Sequence, residues 1–360
     1  MQELLVGEND GPIADMGSTA SPLLPTSTAA ALQRLDEFLW RGETVSFTPQ
    51  PSGFQPLDRY LDGGLRPGEL VLIGGAPGVG KTTLTLQMAR NLAAQANTSC
   101  IYVCYEHGEM YLLQRLIALE SFLAARKAAL DPLALDDVHQ LLIAGGKQSG
   151  SANVAGLASA IQGNAAAALA ISKVQQFGQR LYLVKASGAE TGISALQRMV
   201  RELKEQNGPR VAVFVDYLQK VPVFPAAAND EERTTRVAND LKDLALSEEV
   251  PVVAVVAADH EGLRAQRLRM HHLRGSTSLA YEADATLILN NKYRIVAKKA
   301  ITFNPYQAKD FRNWVICTLE KNRSGRDQID LEFQAFFAHA AFDPVGNLVA
   351  ESLIDERIEE

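Results

Sequence analysis

The chain contains 360 residues, of which 47% are hydrophobic and 21% are charged, a composition that allows a large buried core and excludes global disorder. Its 35 basic and 42 acidic residues give a net charge of −7, which excludes a protein coated in basic charge but allows a local basic patch. It contains three cysteines and no apolar run of the roughly 20 residues that span a bilayer. We therefore expect a soluble, cytoplasmic protein with reduced, buried cysteines and no membrane contact.

The N-terminal part of the sequence predicts a leader and a linker. Residues 1–27 contain Gly, Pro, Ser and Thr without periodicity and indicate a flexible leader. Residues 28–50 predict a linker, which begins with a helix at about 28–40 that carries apolar side chains on one stripe and ends in a Pro/Ser/Gly-rich stretch. A helix between flexible segments cannot bury its own stripe, so we expect it to pack on another surface, such as a neighbouring subunit.

One large α/β domain is predicted from residue 51 to residue 345, and residues 346–360 predict an acidic tail. Continuous apolar runs alternate with helical patterns, as is typical of strands that are covered on both faces in a parallel sheet. The predicted strands lie at 70–73, 100–104, 181–184, 211–215, 252–257 and 285–289. The predicted helices lie at 82–96, from about 191, and at 231–249, with a further one in the Ala-rich stretch 151–172. Residues 314–337 predict a hairpin.

The strongest motif is a glycine-rich segment between the first predicted strand and the following helix. It matches the pattern G-x-x-x-x-G-K-[ST] and consists of Gly75, Ala76, Pro77, Gly78, Val79, Gly80, Lys81 and Thr82, followed by Thr83. In this pattern, backbone N–H groups at the start of a helix cradle phosphate oxygens, the lysine reaches the β- and γ-phosphates, and the hydroxyl binds Mg²⁺. The sequence therefore predicts a nucleotide site.

Two acidic positions complete the predicted site. Asp216 follows a run of five apolar residues, where a carboxylate at the end of a strand can hold Mg²⁺, although an aspartate there can also simply cap a turn. Glu106 follows the strand after the phosphate loop and is the candidate base that orients water, with Glu109 as the alternative. A surface glutamate that enters a helix is the other interpretation of Glu106.

From Ser52 to about Phe342 the chain resembles the RecA-like ATPase domain of the DnaB-type replicative helicases. Before the phosphate loop, the resemblance rests on Ser52-Gly53-Phe54 and Gly63-Gly64-Leu65-Arg66-Pro67-Gly68. After the loop, it rests on four further segments: Tyr105-Glu106, Asp216-Tyr217-Leu218-Gln219, Leu273-Arg274-Gly275-Ser276 and Lys321-Asn322-Arg323. The usual N-terminal helical domain of this family has no counterpart in the 50 residues that precede the match.

The resemblance implies a RecA-like P-loop NTPase with a mainly parallel central sheet flanked by helices and a C-terminal β-hairpin. It also implies Mg²⁺-dependent hydrolysis of ATP, with Glu106 as the catalytic glutamate, and a homo-oligomer that forms a hexameric ring. In such a ring, Lys321 and Arg323 would reach the γ-phosphate of the adjacent subunit, for which the planar guanidinium fork is suited.

The resemblance leaves two functions open. Residues 264–274 form a basic span that contains Arg264, Arg267, Arg269 and Arg274. In ring ATPases of this type the corresponding segment lines the central channel. The resemblance therefore implies that these four arginines contact single-stranded DNA. The alternative for these arginines is a subunit interface or a nucleotide contact. The family's Ser-Gln sensor is replaced by Val256-Ala257-Ala258-Asp259-His260, which favours a ring ATPase that signals to protein partners. The sequence around Gly275 is also similar to circadian-clock-type and recombinase ATPases. The leading hypothesis is a helicase or a helicase-related motor in DNA replication or repair.

Overall fold

A computed structural model describes residues 25–95, 98–148, 156–296, 311–350 and 353. The chain divides into two compact units, Met1–Thr44 and Val45–Glu360. Most of the predicted leader and of the predicted acidic tail therefore lies outside the described residues. No helix of the described residues is both long enough and apolar enough to cross a membrane.

The described part of the first unit is a single helix, α1 (Thr28–Arg41), close to the predicted 28–40. Its N-terminus is capped by Ser27, whose hydroxyl accepts a hydrogen bond from the backbone N–H of Ala30, and its C-terminus by Gly42 in the left-handed conformation. None of its residues is buried. The apolar stripe that the sequence predicted is thus exposed.

The second unit alternates strands and helices, as predicted. Its strands are β1 (Leu70–Gly75), β2 (Ser99–Cys104), β3 (Leu181–Lys185), β4 (Val211–Asp216), β5 (Val252–Ala257), β6 (Ala285–Asn291), β7 (Trp314–Asn322), β8 (Ile329–Phe336), β9 (Ala341–Phe342) and β10 (Asn347–Leu348). Its helices are α2 (Leu57–Tyr60), α3 (Lys81–Ala94), α4 (Glu109–Ala128), α5 (Leu135–Gln148), α6 (Leu157–Ala160), α7 (Ala165–Phe177), α8 (Ile193–Asn207), α9 (Asp230–Ser247), α10 (Ser276–Glu282) and α11 (Lys292–Ile295). Helices α4 and α5 were not among the predicted elements.

The strands form one mixed sheet in the order β10-β8-β7-β6-β1-β5-β4-β2-β3, with β9 paired to β8. The six strands from β6 to β3 run parallel, which confirms the predicted parallel centre. Strands β7, β8 and β10 add antiparallel pairs at one side, and β7 with β8 is the predicted C-terminal hairpin. Strand β1, which leads into the phosphate loop, lies between β5 and β6 in the middle of the sheet.

Both faces of the sheet are covered because successive residues of each strand point to opposite sides. On one face, Tyr102 and Phe214 pack with α3 and α4 in a buried cluster that also contains the three cysteines. On the other face, Val103 and Val215 pack with α8 and α9. Burial on both sides explains why these strands are continuous apolar runs, and it confirms the sequence interpretation.

A third apolar cluster joins α4, α5 and α7. Small side chains such as Ala118 and Ala170, both fully buried, allow α4 and α7 to pack closely. The predicted helix in the Ala-rich stretch is observed as α6 and α7, whereas residues 151–155 lie outside the described residues. Helices α5 and α7 thus pack against α4, whose first residue follows Glu106 by three positions.

Candidate nucleotide site

The phosphate loop connects the end of β1 to the first residue of α3, as the motif predicts. Gly80 has φ of 103°, and an added Cβ there would lie 2.8 Å from ring atoms of Phe337 and Phe342. Gly78 has φ of 77°. These positions require glycine because side chains disfavour left-handed backbone and because no room exists at Gly80. The loop thus presents bare backbone where phosphate oxygens would bind.

Lys81 folds back over the loop. Its ammonium donates to the backbone carbonyls of Gly75 and Ala76, at 2.8 and 3.0 Å. Burial lowers the pKa of Lys81, and the nearby carboxylates of Asp216 and Glu106 act in the opposite direction. A partly desolvated cation in this position favours an anionic ligand, because polyphosphate would bring negative charge close to the ammonium.

Thr82 and Asp216 are brought together from positions 134 residues apart. The Thr82 hydroxyl donates to Asp216 Oδ2 over 2.7 Å, and the Tyr102 hydroxyl donates to the same oxygen over 3.1 Å. Asp216 is 2% exposed, and burial raises its pKa against the opposing effect of the hydrogen bonds from Thr82 and Tyr102. A carboxylate and a hydroxyl at the mouth of the loop are the hard oxygen donors that Mg²⁺ prefers, so these residues fit that ion.

A cleft of about 580 Å³ encloses the loop and both predicted acidic residues. Its lining includes Pro77, Gly78, Gly80, Lys81, Thr82, Thr83, Glu106, Arg115, Asp216, Tyr217, Val255, Ala257 and Phe337. The volume lies within the range of small-molecule sites. Glu106 therefore lies in the same cleft as Lys81, whereas Glu109, the first residue of α4, is exposed and does not line it.

Two lining residues were missed by the sequence interpretation. Arg115 on α4 donates to Thr83 Oγ1 at 3.3 Å and to the hydroxyl of Tyr111 at 2.8 Å, so its guanidinium is oriented beside the loop. Phe337, directly after β8, presents a partly exposed ring beside Gly80. Neither belongs to a motif, and only a prediction of α4 and of the turn after the hairpin would have identified them.

Lys321 and Arg323 lie together at the end of the sheet opposite to the phosphate loop, where the parallel strands begin. The Lys321 ammonium donates to the carbonyl of Ala280 at 2.6 Å and also to that of Ala283. Arg323 donates to the carbonyl of Tyr281 and to Asp284 Oδ1, the latter at 3.2 Å. Both cations thus bind the end of α10 and the start of β6, on the side where β1 begins rather than where it ends.

The basic span requires a correction. Arg267 and Arg269, predicted as DNA contacts, are 4% and 6% exposed. Arg267 binds Asp330 at 2.7 Å, and Arg269 pairs with Glu320 at 2.9 Å, so both hold the span against β7 and β8. The prediction failed because the acidic partners lie more than 50 residues away in the sequence.

The other two arginines of the span remain at the surface. Arg264 is exposed. Arg274 is half-exposed and pairs with Asp230 at the start of α9. The structure therefore leaves Arg264 and, in part, Arg274 at positions that another molecule can reach.

The fold and the phosphate loop together define a P-loop domain with a RecA-like fold: a parallel sheet, a phosphate loop after its central strand, and an acidic residue at the end of β4. The match to a family model is more specific. Residues 50–341 match the DnaB-like helicase C terminal domain, and the chain belongs to that family.

Individual relatives agree with this assignment. Replicative DNA helicase DnaB of Treponema pallidum is 26% identical over 289 residues, which cover 79% of this chain and 54% of that protein. DNA repair protein RadA of Haemophilus influenzae is 43% identical over 88 residues, 24% of this chain and 18% of that protein. A solved structure of a DnaB-like replicative helicase superposes with a TM-score of 0.62 at 20% identity, covering 88% of this chain and 67% of that chain. The chain spans about half the length of the Treponema pallidum helicase that it matches.

Proposed function

We propose that this protein is an Mg²⁺-dependent ATPase that assembles into a homo-oligomeric, hexameric ring and moves on single-stranded DNA during replication. The observation that carries the proposal is the convergence of Lys81, Thr82, Glu106 and Asp216 in one cleft. These four groups come from three places in the fold, namely the start of α3, the turn after β2 and the end of β4, and they can bind phosphate, hold Mg²⁺ and orient water.

Each residue has a distinct part in hydrolysis. The loop N–H groups and Lys81 bind the β- and γ-phosphates, and Arg115 adds a second cation beside Thr83. Thr82 and Asp216 would hold Mg²⁺, which neutralises charge on the phosphoryl oxygens when it is bound. Glu106 orients a water molecule and accepts its proton during attack on the γ-phosphorus. The ring of Phe337, which lines the cleft, offers an apolar surface against which the adenine ring of ATP can pack.

Arg323 is assigned to the neighbouring subunit's site. Asp284, which binds Arg323, also accepts a hydrogen bond from the backbone N–H of Leu70, the first residue of β1. The phosphate loop follows Gly75 at the other end of the same strand, roughly 17 Å away at the usual rise per residue. Arg323 and Lys321 therefore lie across the sheet from their own cradle, which supports a role in trans.

The surface that we propose for single-stranded DNA contains fewer arginines than the sequence suggested, because Arg267 and Arg269 are buried. It includes Arg264 and, less directly, Arg274, whose guanidinium is shared with Asp230. A second function has one observation in its favour. Ala257, at the end of β5, lines the cleft where a polar sensor would contact the γ-phosphate. A ring ATPase that signals to protein partners would not need that sensor to be coupled to DNA.

The test is the steady-state rate of ATP hydrolysis of the full chain with and without single-stranded DNA, at low and moderate salt. We expect stimulation by DNA that falls as salt rises, because phosphate contacts are salt-dependent. Glu106→Gln should keep nucleotide affinity and slow hydrolysis by roughly 10²–10⁴-fold. Glu109→Gln is the matched control and should stay near the wild-type rate.

Two results would contradict the proposal. Hydrolysis that depends on Glu106 but ignores DNA at every salt concentration would favour the protein-signalling function. A loss of activity in Glu109→Gln, with Glu106→Gln unaffected, would mean that the base has been assigned to the wrong carboxylate.

A further inference from the structure

A buried carboxylate lies beside the hairpin that carries Arg323. Asp284, the residue before β6, has a side chain that is 9% exposed. Its Oδ1 accepts a hydrogen bond from Arg323 at 3.2 Å, and its Oδ2 accepts one from Lys242 at 2.7 Å and one from the N–H of Leu70 at 2.8 Å. One carboxylate is thus shared by two cations.

The two cations differ in their freedom to move. The Lys242 side chain is 13% exposed and also donates to the carbonyl of Gly68 at 2.8 Å, which fixes it in place. The Arg323 side chain is 49% exposed, and its guanidinium also donates to the carbonyl of Tyr281 in α10. The backbone N–H of Arg323 donates to the carbonyl of Asp284 at 2.8 Å, so the base of the side chain stays anchored while its guanidinium is able to swing away.

Lys242 determines whether the fold tolerates this departure. A buried carboxylate that loses its partner is strongly destabilising. Because Lys242 remains bound to Oδ2, Asp284 is still neutralised when the Arg323 guanidinium leaves Oδ1. Without Lys242, Arg323 would be the remaining side chain that hydrogen-bonds to Asp284, with Lys321 as a nearby cation that does not contact it, and Arg323 would be held more tightly.

We propose that Asp284 is a positioning residue that binds Arg323 between catalytic events, in what we call the parked state. Lys242 weakens this contact enough for Arg323 to move to a neighbouring subunit's γ-phosphate. The inference rests on the proposed function, because it requires Arg323 to act in trans. It predicts opposite effects of two substitutions: Lys242→Met tightens the parked state, and Asp284→Asn releases it.

The parked state is measured first, without reference to hydrolysis. Arginine labelling of the full chain with phenylglyoxal, quantified by mass spectrometry, reports the exposure of the guanidinium. We expect Arg323 to react about 3-fold faster in Asp284→Asn and about 3-fold slower in Lys242→Met, the size of a partly exposed ion pair. Arg326, an exposed residue on the same turn, serves as the internal control and should react at the same rate in all proteins.

The catalytic consequence is measured by ATP hydrolysis. Lys242→Met should lower kcat by about 3-fold to 10-fold with KM for ATP unchanged, since it holds Arg323 and does not touch the cradle. The double variant Lys242→Met/Asp284→Asn should recover at least half of the lost rate. A purely structural role predicts the reverse, namely a double variant slower than either single variant. Lys242→Arg keeps the charge and should remain near wild type.

The outcomes separate this inference from the proposed function. Normal hydrolysis by Arg323→Ala would overturn the shared site and this inference with it. A defective Arg323→Ala together with a normal Lys242→Met, or with a double variant that is not rescued, would overturn the parking role alone. If Lys242→Met does not fold, the labelling of Arg323 in Asp284→Asn decides, and an unchanged rate there overturns the inference.

Discussion

Asp216 illustrates at the scale of one residue how a functional site is built at the expense of stability. Its carboxylate is 2% exposed, and it receives two hydroxyl hydrogen bonds on a single oxygen. Burial raises its pKa, so the folded protein binds the proton more tightly than the unfolded chain does. The contribution of Asp216 to stability therefore falls as pH rises from the ordinary pKa of 3.8 through the raised value.

Asp216→Asn should for this reason stabilise the metal-free protein at neutral pH while abolishing hydrolysis. The amide oxygen of asparagine can accept the hydrogen bonds of Thr82 and Tyr102 without a buried charge. We expect the melting temperature in chelator at pH 7 to rise by about 2–4 °C. The gain should shrink as pH falls through the raised pKa of Asp216 toward the ordinary value of 3.8, because the wild-type carboxylate becomes protonated. A lower melting temperature at pH 7 would show that the charge of Asp216 is compensated by Lys81 in the folded state.

The same scale shows what sequence alone could predict. The phosphate-loop pattern was recognisable because its backbone requires glycine and its expected ligand requires lysine and threonine at fixed spacing, and the structure places Lys81 and Thr82 in one cleft. Arg267 and Arg269 were misassigned because a cluster of basic residues in the sequence does not reveal whether each residue has an acidic partner. Their partners lie on β7 and β8, far away in the sequence, and only the fold brings them together. Arg115 was missed because an arginine on an unpredicted helix has no sequence signature.

Among the elements, the central strands were predicted within two residues at each end, since burial on both faces requires continuous apolar runs. Helices α4 and α5 were missed. Each lies between Glu106 and the Ala-rich stretch, and α4 contributes apolar side chains to two different clusters, so its apolar residues do not form a single stripe. The packing of α4 against α7 therefore had no counterpart in the predictions.

Helix α1 is the element whose apolar side chains lack a place to be buried among the described residues of its own unit. Leu32 and Leu39 of the stripe are 62% and 55% exposed. Such a stripe is typical of a helix that docks on another copy. Leu35→Glu should therefore lower the oligomeric mass measured by light scattering, whereas Gln33→Glu, which adds the same charge off the stripe, should not. Equal masses for both variants would show that α1 does not hold subunits together.

At the scale of the whole molecule, α10 connects the two edges of the sheet. At one end, the side-chain amide of Gln219 donates to the carbonyl of Arg274 and accepts from the N–H of Ala257, both at 3.2 Å, three residues after the carboxylate of Asp216. At the other end, Arg323 binds the carbonyl of Tyr281. Residues 274–282 thus connect Gln219, which bonds the cleft residue Ala257, to the cation that we propose acts on the neighbouring subunit.

This arrangement predicts that catalysis is completed between subunits. Arg323→Ala subunits keep an intact phosphate loop, and Lys81→Ala subunits keep an intact arginine, so each protein alone should be nearly inactive. Mixed rings contain interfaces that combine the intact halves, and they should recover turnover. A guanidinium supplied in trans contributes about 10³–10⁵-fold to phosphoryl transfer, so even a minority of such interfaces is measurable.

The mixture must first be shown to co-assemble, for example by pull-down of an untagged variant with a tagged one. Lys81→Ala combined with Arg323→Ala in the same chain is the matched control, because mixing that double variant with Arg323→Ala keeps intact loops but creates no interface with an intact arginine. Rate recovery in the first mixture and none in the second would place Arg323 at the neighbouring site. Co-assembled rings of the single variants that remain as inactive as their parents would contradict the shared site, since every other requirement for hydrolysis is met at their mixed interfaces.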